Sequence, residues 1–543
     1  MKRILSSSLI MLLALSASAA PRTTAQKKAA ALSALNRIGN NGTRRIKAAG
    51  TAELQTLESA DAYTVLGYKD GGFAIIANDD RNEAVVGYSA STFTRLPDGM
   101  RWYLNALGEV LAAGGDAPRY TFMPKLEQAQ GVAPMLDCEW GQSAPFSNLT
   151  PHNYPTGCVA TAMAQIMYYH KYPTSGTGKF LDVNTRKQID ISKSTYDYAS
   201  MLPSYNGTYT NAQATAVATL MYHCGLTVNM DYNADGSGAV LSDARSAVID
   251  NFFYNANANS HFRYIHNIDE WMDLVYEELD NKRPILYGGQ DANGTGGHAF
   301  VFDGYNSDGL VHVNWGWDGD CNGYYDISLL NPSDNMGNSY QYSQGQAMLT
   351  GMGLPSDNVA RYSEIFTQTP LSLTLSGTTI SMNGDFVIYN HNYYDFSGAW
   401  YLMLVGVDND YVSPLGGYSF KSNPMPGVDD KGNIMGSRFS NIKSPLPDDM
   451  PDGTYIIFNA VQDAGYDYFN TVAAADGVNQ YYTLVKKGSD LTLTRGVVTG
   501  ISSVTAAKKA DGAVYTLDGH KLSGTLDAQP AGIYITGGKK VVK

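Results

Sequence analysis

Residues 154–173 have the sequence YPTGCVATAMAQIMYYHKYP, in which a turn signal is followed at once by a strongly apolar segment. From Cys158 onward, apolar residues recur every three or four positions, which predicts a buried helix beginning at that cysteine. The unpaired N–H groups and the dipole at a helix N-terminus favour a thiolate. Cys158 is therefore a candidate nucleophile, and the alternative is a small core residue at a helix start.

A nucleophilic thiolate needs an imidazole base from another part of the chain. His298 lies in NGTGGHAFVFDGYN, residues 293–306, where small residues precede a strand predicted at 299–302. A histidine at the start of a strand, beside Gly297, can face a cleft with little obstruction. His312, in LVHVNWGWDG, is a possible alternative base, although it also fits a packed strand position.

Three other residues have side chains that suit a cysteine–histidine site. The Asn314 amide oxygen can accept the imidazole N–H and fix its tautomer. Trp315 can shield that hydrogen bond from water, with core packing as its alternative role. Gln142 precedes the nucleophile, and its side-chain N–H can join the backbone N–H of Cys158 as a donor to an oxyanion.

These motifs together resemble a known family. The segments TGCVATAMAQIMYYHKYP, GGHAFVFDGY and VNWGWDG resemble the streptopain family of papain-like cysteine peptidases, and GGFAIIANDDRNEAVVGYS resembles that family's inhibitory propeptide. The resemblance implies that Cys158 is the nucleophile and His298 the base. It also implies that Gln142 serves the oxyanion hole and that Asn314 and Trp315 orient and cover the histidine. The papain sequence around the nucleophile is absent, so the link to papain itself is at the level of fold.

The resemblance has further implications for ligands. DYNADGSGAVLSD resembles the loop that lines the substrate cleft, which implies that Ser237 and Gly297 contact the substrate through their backbones. No cofactor and no metal are expected. DGDCNG and DYNADG match the opening of a calcium-binding EF-hand loop, but the twelfth positions hold Leu329 and Ser242 instead of glutamate, so both are interpreted as turns.

The N-terminus predicts export. A basic start at Lys2 and Arg3 is followed by an apolar run and then small residues, which is typical of a signal peptide cleaved near Ala19 and Ala20. The apolar run is shorter than the ~20 residues that a membrane span requires. A secreted or cell-surface protein with no transmembrane segment is expected.

The expected fold class is α+β. Strands are predicted at Val65–Tyr68, Phe73–Ala77 and Val85–Tyr88, followed by a helix around Trp102. A papain-like catalytic domain is expected after this small α+β unit and before a β-sandwich-like domain and a short β tail. The predicted parts are a signal peptide (1–20), an inhibitory propeptide (21–130), the peptidase domain (131–353), the sandwich-like domain (354–500) and the tail (501–543). Removal of the propeptide is expected between Lys125 and Gly131.

The charge and the cysteine count disfavour two kinds of protein, those that bind nucleic acid and those held together by disulfides. The formal net charge of −13 disfavours a nucleic-acid partner, and four cysteines are too few for a disulfide framework. The tail resembles the C-terminal sorting domains of exported Bacteroidetes proteins. The sequence therefore predicts a secreted cysteine endopeptidase, made as a zymogen, that hydrolyses extracellular or host proteins and is inhibited by its own propeptide. The alternative is a surface binding or adhesion protein with an inert peptidase fold.

Overall fold

The computed structural model describes residues 20–41, 54–113, 131–182, 184–290, 297–330, 346–407, 409–429 and 433–496, together with four strands between 514 and 542. Residues 1–19 of the predicted signal peptide (1–20) and residues 125–130, where propeptide removal is predicted, lie outside these residues. None of the described helices has the length and hydropathy needed to cross a bilayer. Helices are few and strands are many, so the predicted α+β class is confirmed.

The N-terminal unit, residues 20–113, packs a sheet between two helices. Its elements are α1 (Thr24–Asn41), β1 (Gln55–Ser59), β2 (Tyr63–Gly67), β3 (Phe73–Ala77), β4 (Val85–Ser89) and α2 (Asp98–Ala113). Along β3, Phe73 and Ile75 belong to the core that includes α2, whereas Ala74 and Ile76 belong to the core that includes α1. Both faces of β3 are therefore buried, which explains why its sequence is apolar throughout.

The central unit, residues 131–353, packs helices on both faces of a sheet. Its elements are α3 (Cys158–His170), β5 (Lys179–Asp182), β6 (Lys187–Asp190), α4 (Asn211–Thr227), α5 (Leu241–Ser246), β7 (Asn259–Phe262), α6 (Ile268–Asp280), β8 (Ile285–Gln290), β9 (Gly297–Tyr305), β10 (Val311–Asn314), β11 (Gly323–Tyr325) and β12 (Ala347–Thr350). One core lies between the sheet and α3, α4 and α5. The other lies between the opposite face and both α6 and α2.

The N-terminal and central units share one sheet. Its ten strands follow the order β1-β2-β3-β4-β11-β10-β9-β8-β12-β7. The junction is the antiparallel pair β4–β11, in which Tyr88 lies opposite Tyr324 and Gly87 opposite Tyr325. Backbone hydrogen bonds therefore connect the two units directly, in addition to the packing of α2.

The sandwich unit, residues 359–496, follows. Its strands are β13 (Ile365–Thr367), β14 (Leu373–Ser376), β15 (Thr379–Met382), β16 (Asp385–Asn390), β17 (Ala399–Gly406), β18 (Val412–Ser419), β19 (Met435–Ser440), β20 (Lys443–Pro445), β21 (Gly453–Gln462), β22 (Asn470–Thr471), β23 (Ala473–Ala474), β24 (Tyr481–Lys487) and β25 (Asp490–Arg495). Their inward residues share one core. Phe366 and Ala473 pack on Ile265 of the central unit.

The C-terminal segment contains a small antiparallel sheet. Its strands are β26 (Val514–Tyr515), β27 (Lys521–Leu522), β28 (Ile533–Thr536) and β29 (Lys539–Val542), in the order β27-β26-β28-β29. These strands lie where the sequence predicted a β tail. The sorting role of the tail stays a prediction.

Candidate active site

Cys158 is the first residue of α3, as predicted. The preceding residue, Gly157, has φ +83° and ψ 143°, a conformation that residues with a β-carbon rarely adopt. A β-carbon at Gly157 would also lie 2.5 Å from Sδ of Met230 and 3.1 Å from the backbone oxygen of Ser237. Glycine is therefore required at the turn, and the turn fixes where α3 starts and where the thiol lies.

The Cys158 sulfur lies against the backbone on both sides of His298. Its Sγ is 3.9 Å from the carbonyl oxygen of Gly297, and the nearby backbone N–H of Ala299 favours the thiolate and so lowers its pKa. The start of α3 therefore meets the start of β9. The structure brings the predicted nucleophile to the segment that carries the predicted base.

The half-buried His298 side chain belongs to the other face of β9. Ala299 packs in the core around α3, whereas Phe300 packs in the core around α2. Since successive side chains of a strand point to opposite faces, His298 shares the face of Phe300. Its partner in β8 is Gly289, where a β-carbon would lie 2.5 Å from the indole of Trp102. Helix α2 thus occupies the face of the sheet to which the imidazole belongs.

Burial raises the pKa of the Cys158 thiol, and the nearby carboxylate of Asp98 raises it further. Hydrogen bonds from the backbone N–H groups of Ala299 and Val159 lower the pKa, because they stabilise the thiolate, but burial outweighs them. The sequence predicted a lowered pKa from the helix dipole. That prediction is wrong for this structure, because it left out the desolvation of the sulfur.

Gln142 lies beside the turn that precedes the cysteine. Its backbone oxygen accepts a hydrogen bond from the N–H of Thr156 at 3.0 Å, and its side chain is half-buried. The neighbouring Gly141 packs tightly on the loop after β10, since a β-carbon there would lie 2.3 Å from Oδ1 of Asp318. The structure thus places the backbone of Gln142 beside the turn that leads into Cys158, and the oxyanion role of its side chain stays a prediction.

Asn314 is buried and its side chain holds the sheet to the helix layer. Its Oδ1 accepts hydrogen bonds from Nε2 of Gln165 and from the N–H of Gly316, each at 3.1 Å. Its Nδ2 donates to the carbonyl oxygen of Cys138 at 2.8 Å. The amide oxygen is therefore committed to two donors other than His298, and orientation of the histidine by Asn314 stays a prediction.

Trp315 lies between β9 and α2. Its ring centre is 4.8 Å from that of Phe300, and its Nε1 donates to the carbonyl oxygen of Cys321 at 3.1 Å. A β-carbon at Gly99 of α2 would lie 2.9 Å from the indole. Core packing, the alternative role considered for Trp315, therefore describes its contacts, and it packs on the same face as His298.

The two predicted substrate contacts both adjoin the cysteine. The backbone oxygen of Ser237 faces Gly157, and the carbonyl oxygen of Gly297 faces Cys158. The Ser237 hydroxyl accepts a hydrogen bond from the N–H of Asn233 at 3.2 Å, which closes the loop. Their roles toward substrate stay predictions.

His312, the alternative base, has a different partner. Its Nδ1 lies 2.5 Å from Oδ1 of the fully buried Asp303. The other oxygen of Asp303 accepts a hydrogen bond from the N–H of Leu136. This buried carboxylate ties His312 to the sheet, which suits the packed position considered from the sequence.

Sequence reasoning missed the contribution of the N-terminal unit. Asp98 and Trp102 approach the site from α2, and Arg95 pairs with Asp318 and Asp320 at 3.3 and 3.5 Å. The two aspartates belong to DGDCNG, so their carboxylates have a cation partner from the chain itself. No local pattern reports such contacts, because the residues are more than 200 positions apart in some pairs.

Comparison with known proteins also indicates a cysteine peptidase. Residues 140–325 match the model of the Peptidase C10 family. Streptopain of Streptococcus pyogenes is 31% identical over 298 residues, a match that covers 48% of this chain and 73% of streptopain. The chain belongs to the Peptidase C10 family. Membership places it among the cysteine peptidases, as the motifs implied.

Two other C10 relatives show how far this similarity extends. The thiol protease/hemagglutinin PrtT of Porphyromonas gingivalis is 33% identical over 297 residues, which cover 49% of this chain but only 33% of PrtT. A fragment of prointerpain A of Prevotella intermedia is 38% identical with a TM-score of 0.50, and the match covers 55% of this chain and 98% of the fragment. This solved structure confirms the predicted papain-like fold of this C10 peptidase.

Proposed function

We propose that this chain is the precursor of a secreted cysteine endopeptidase in which Cys158 is the nucleophile and His298 becomes the base once the N-terminal unit leaves the sheet face to which the imidazole belongs. The observation that carries the proposal is the contact of the Cys158 sulfur with the backbone on both sides of His298. The glycine turn at Gly157 supports it, because it fixes the sulfur at the N-terminus of α3.

The proposed reaction proceeds in two stages. The Cys158 thiolate attacks the carbonyl carbon of the peptide bond, and the developing oxyanion accepts hydrogen bonds from the N–H of Cys158 and the side chain of Gln142. The carbon–nitrogen bond breaks as protonated His298 gives its proton to the departing amine. Water then gives a proton to His298 and attacks the thioester, which releases the carboxylic acid and restores the thiolate.

The N-terminal unit is proposed to act as the inhibitory propeptide. Trp102 and Gly99 of α2 pack on the sheet face to which His298 belongs, and Asp98 opposes ionisation of the thiol. Strand pairing between β4 and β11 holds the unit in this position. The substrates proposed for the activated enzyme are extracellular or host proteins, in keeping with the signal-like N-terminus.

Substitution of the two reactive residues tests the proposal. Wild type, Cys158→Ala and His298→Ala chains are processed with the same added protease, and casein hydrolysis and labelling by a thiol-directed peptide inhibitor are measured. We expect hydrolysis to fall by about 1,000-fold or more in both variants, since the groups of a catalytic unit act together. Labelling should vanish in Cys158→Ala.

His152→Asn is the matched histidine control. His152 is exposed in a turn and has φ 54°, which asparagine tolerates, so this variant should hydrolyse casein at the wild type rate. Casein hydrolysis at wild type rates in Cys158→Ala would rule out the proposed nucleophile.

A further inference from the structure

Two histidines and a glutamate meet where the central unit contacts the sandwich unit. His261 lies in β7, His266 lies two residues before α6, and Glu364 immediately precedes β13. Their exposed fractions are 0%, 6% and 1%. One nitrogen of each histidine and one carboxylate oxygen lie within 4.8 Å of one another.

The three side chains converge on one point. Nδ1 of His261 hydrogen-bonds to Oε1 of Glu364. Nε2 of His266 lies 3.1 Å from the same oxygen and 3.3 Å from Oε2. A single carboxylate therefore faces the inner nitrogens of both imidazoles, in a position that substrate cannot reach because all three groups are buried.

The outer nitrogen of each histidine also faces an oxygen. Nε2 of His261 is 2.8 Å from the Thr350 hydroxyl. Nδ1 of His266 is 3.7 Å from Oε2 of Glu270, and both of these buried atoms are without a hydrogen-bond partner among the described residues. Metal-binding histidines almost always direct their second nitrogen to such an oxygen, which leaves the first as the ligand.

The backbone of Glu364 is fixed as well. Its N–H donates to Oδ1 of Asn392 at 3.0 Å, and its carbonyl oxygen accepts from the N–H of His391 at 2.8 Å. The carboxylate is thus presented from a rigid strand start, as a preorganised ligand requires.

We propose that His261, His266 and Glu364 form a binding site for a divalent transition metal, with zinc as the cation of best fit. Two imidazoles and one carboxylate are a ligand set that zinc accepts, with a further position left for water. The site is structural: it joins ligands from the central unit to one from the sandwich unit and so stabilises their interface. It is separate from the Cys158 site and does not depend on the proposed function.

The test uses the full chain carrying Cys158→Ala, which removes the reactive thiol. The protein is treated with a chelator, and zinc binding is then measured by titration calorimetry and by metal analysis after dialysis. We expect about one zinc per chain and a melting temperature that rises with zinc concentration, because the cation binds the folded state. Bound Co²⁺ should show the visible absorption of a low-coordinate site.

Variants at the site distinguish this cluster from other metal-binding groups. Glu364→Gln keeps the side-chain size and should weaken zinc binding by more than about 100-fold, since loss of an outer partner alone costs roughly 10–100-fold. Glu270→Gln should fall within that smaller range.

Tyr264→Phe is the matched control. It removes the hydrogen bond from Tyr264 to Nε2 of His391 at the same interface, at 2.7 Å, but leaves all three ligands in place. Full zinc binding is expected in this variant. The proposal is overturned if the chelated parent takes up no zinc, or if Glu364→Gln binds zinc as tightly as the parent does.

Discussion

At the residue scale, the reactivity of the site depends on the pKa of the Cys158 thiol. The start of α3 presents N–H groups that stabilise a thiolate at Cys158, yet burial and the Asp98 carboxylate oppose ionisation. The thiol pKa is therefore raised while the N-terminal unit is in place. A raised pKa means less thiolate at a given pH, and the reactive form becomes abundant only at higher pH.

Removal of the Asp98 charge should make the precursor's thiol more reactive. In Asp98→Asn the pKa of Cys158 falls, because a nearby negative charge no longer opposes the thiolate. We expect the pH profile of alkylation by iodoacetamide to shift to lower pH, with a rate increase on the order of twofold to fivefold at pH 8. Asp61→Asn, at an exposed position in the same unit, should match wild type. Identical profiles for all three proteins would contradict the role given to Asp98.

Gly157 should tolerate no side chain. Gly157→Ala places a β-carbon 2.5 Å from Met230 in a backbone conformation that alanine disfavours. We expect the free energy of unfolding, measured in urea, to fall by about 1–3 kcal/mol, together with loss of thiol labelling. Gly207→Ala is the control, because a β-carbon there meets no atom within 4 Å. Equal losses in the two variants would argue against a specific role for the turn.

Local periodicity explains which site residues could be predicted. The start of α3 at Cys158 follows from apolar spacing, and the strand after His298 follows from a buried apolar run. The partners of Asn314 do not follow from any local pattern, because Gln165 lies 149 positions away. The thiol pKa was predicted in the wrong direction because burial of the sulfur, the main cause of the raised pKa, and the approach of Asp98 both depend on the fold.

At the scale of elements, strands of the N-terminal unit pair with strands that are close in the sequence. The pairing between the N-terminal and central units joins strands that are far apart in the sequence. Strands β2, β3 and β4 match the predicted strands to within two residues at each end, because turn signals separate their apolar runs. Strand β11 has only three residues and follows a turn-rich loop, so the sequence did not predict it. Its pairing with β4 joins segments more than 200 residues apart.

The β4–β11 strand pair should control how quickly the precursor becomes active, because it holds the N-terminal unit to the central unit. Gly87→Ala places a β-carbon 2.6 Å from the Tyr325 ring, and overpacking of this kind costs ~1–3 kcal/mol. We expect casein-hydrolysing activity to develop about fivefold or more faster than in wild type, while the mature enzymes are identical. Gly108→Ala, which introduces only an ordinary contact 3.6 Å from Tyr63, should activate at the wild type rate. An unchanged rate in Gly87→Ala would show that this pair does not limit release.

At the scale of the whole molecule, the order of parts was predictable and their contacts were not. Changes in residue pattern separate the N-terminal, central and sandwich regions along the chain. The expectation of no metal rested on the two EF-hand-like loops, whose twelfth positions lack glutamate. His261 and His266 are five positions apart, but Glu364 lies 98 positions after His266 and joins them only when the sandwich unit packs on the central unit.

The prediction for the whole molecule concerns the site at which the precursor is cleaved and whether that cleavage needs Cys158. We expect the mature enzyme to begin between residues 126 and 131, and we expect the Cys158→Ala chain to keep its N-terminal unit under the same conditions. N-terminal sequencing and intact mass spectrometry give both results. A mature N-terminus within β2, β3 or β4 would contradict the proposed boundary, because those strands belong to one folded sheet.

Because the N-terminal and central units share one ten-stranded sheet, cleavage of the chain between them does not by itself release the N-terminal unit. When the connection after α2 is cut, the β4–β11 hydrogen bonds and the packing of α2 remain, so the two fragments form a noncovalent complex. If the N-terminal unit is the inhibitory propeptide, as proposed, the cut molecule should stay inactive until its fragments dissociate or the smaller one is digested. Dissociation of the two fragments depends on their concentration, since dilution favours the separate fragments and a high concentration favours the complex. We therefore expect cut molecules to become active more slowly where they stay concentrated than where they are diluted.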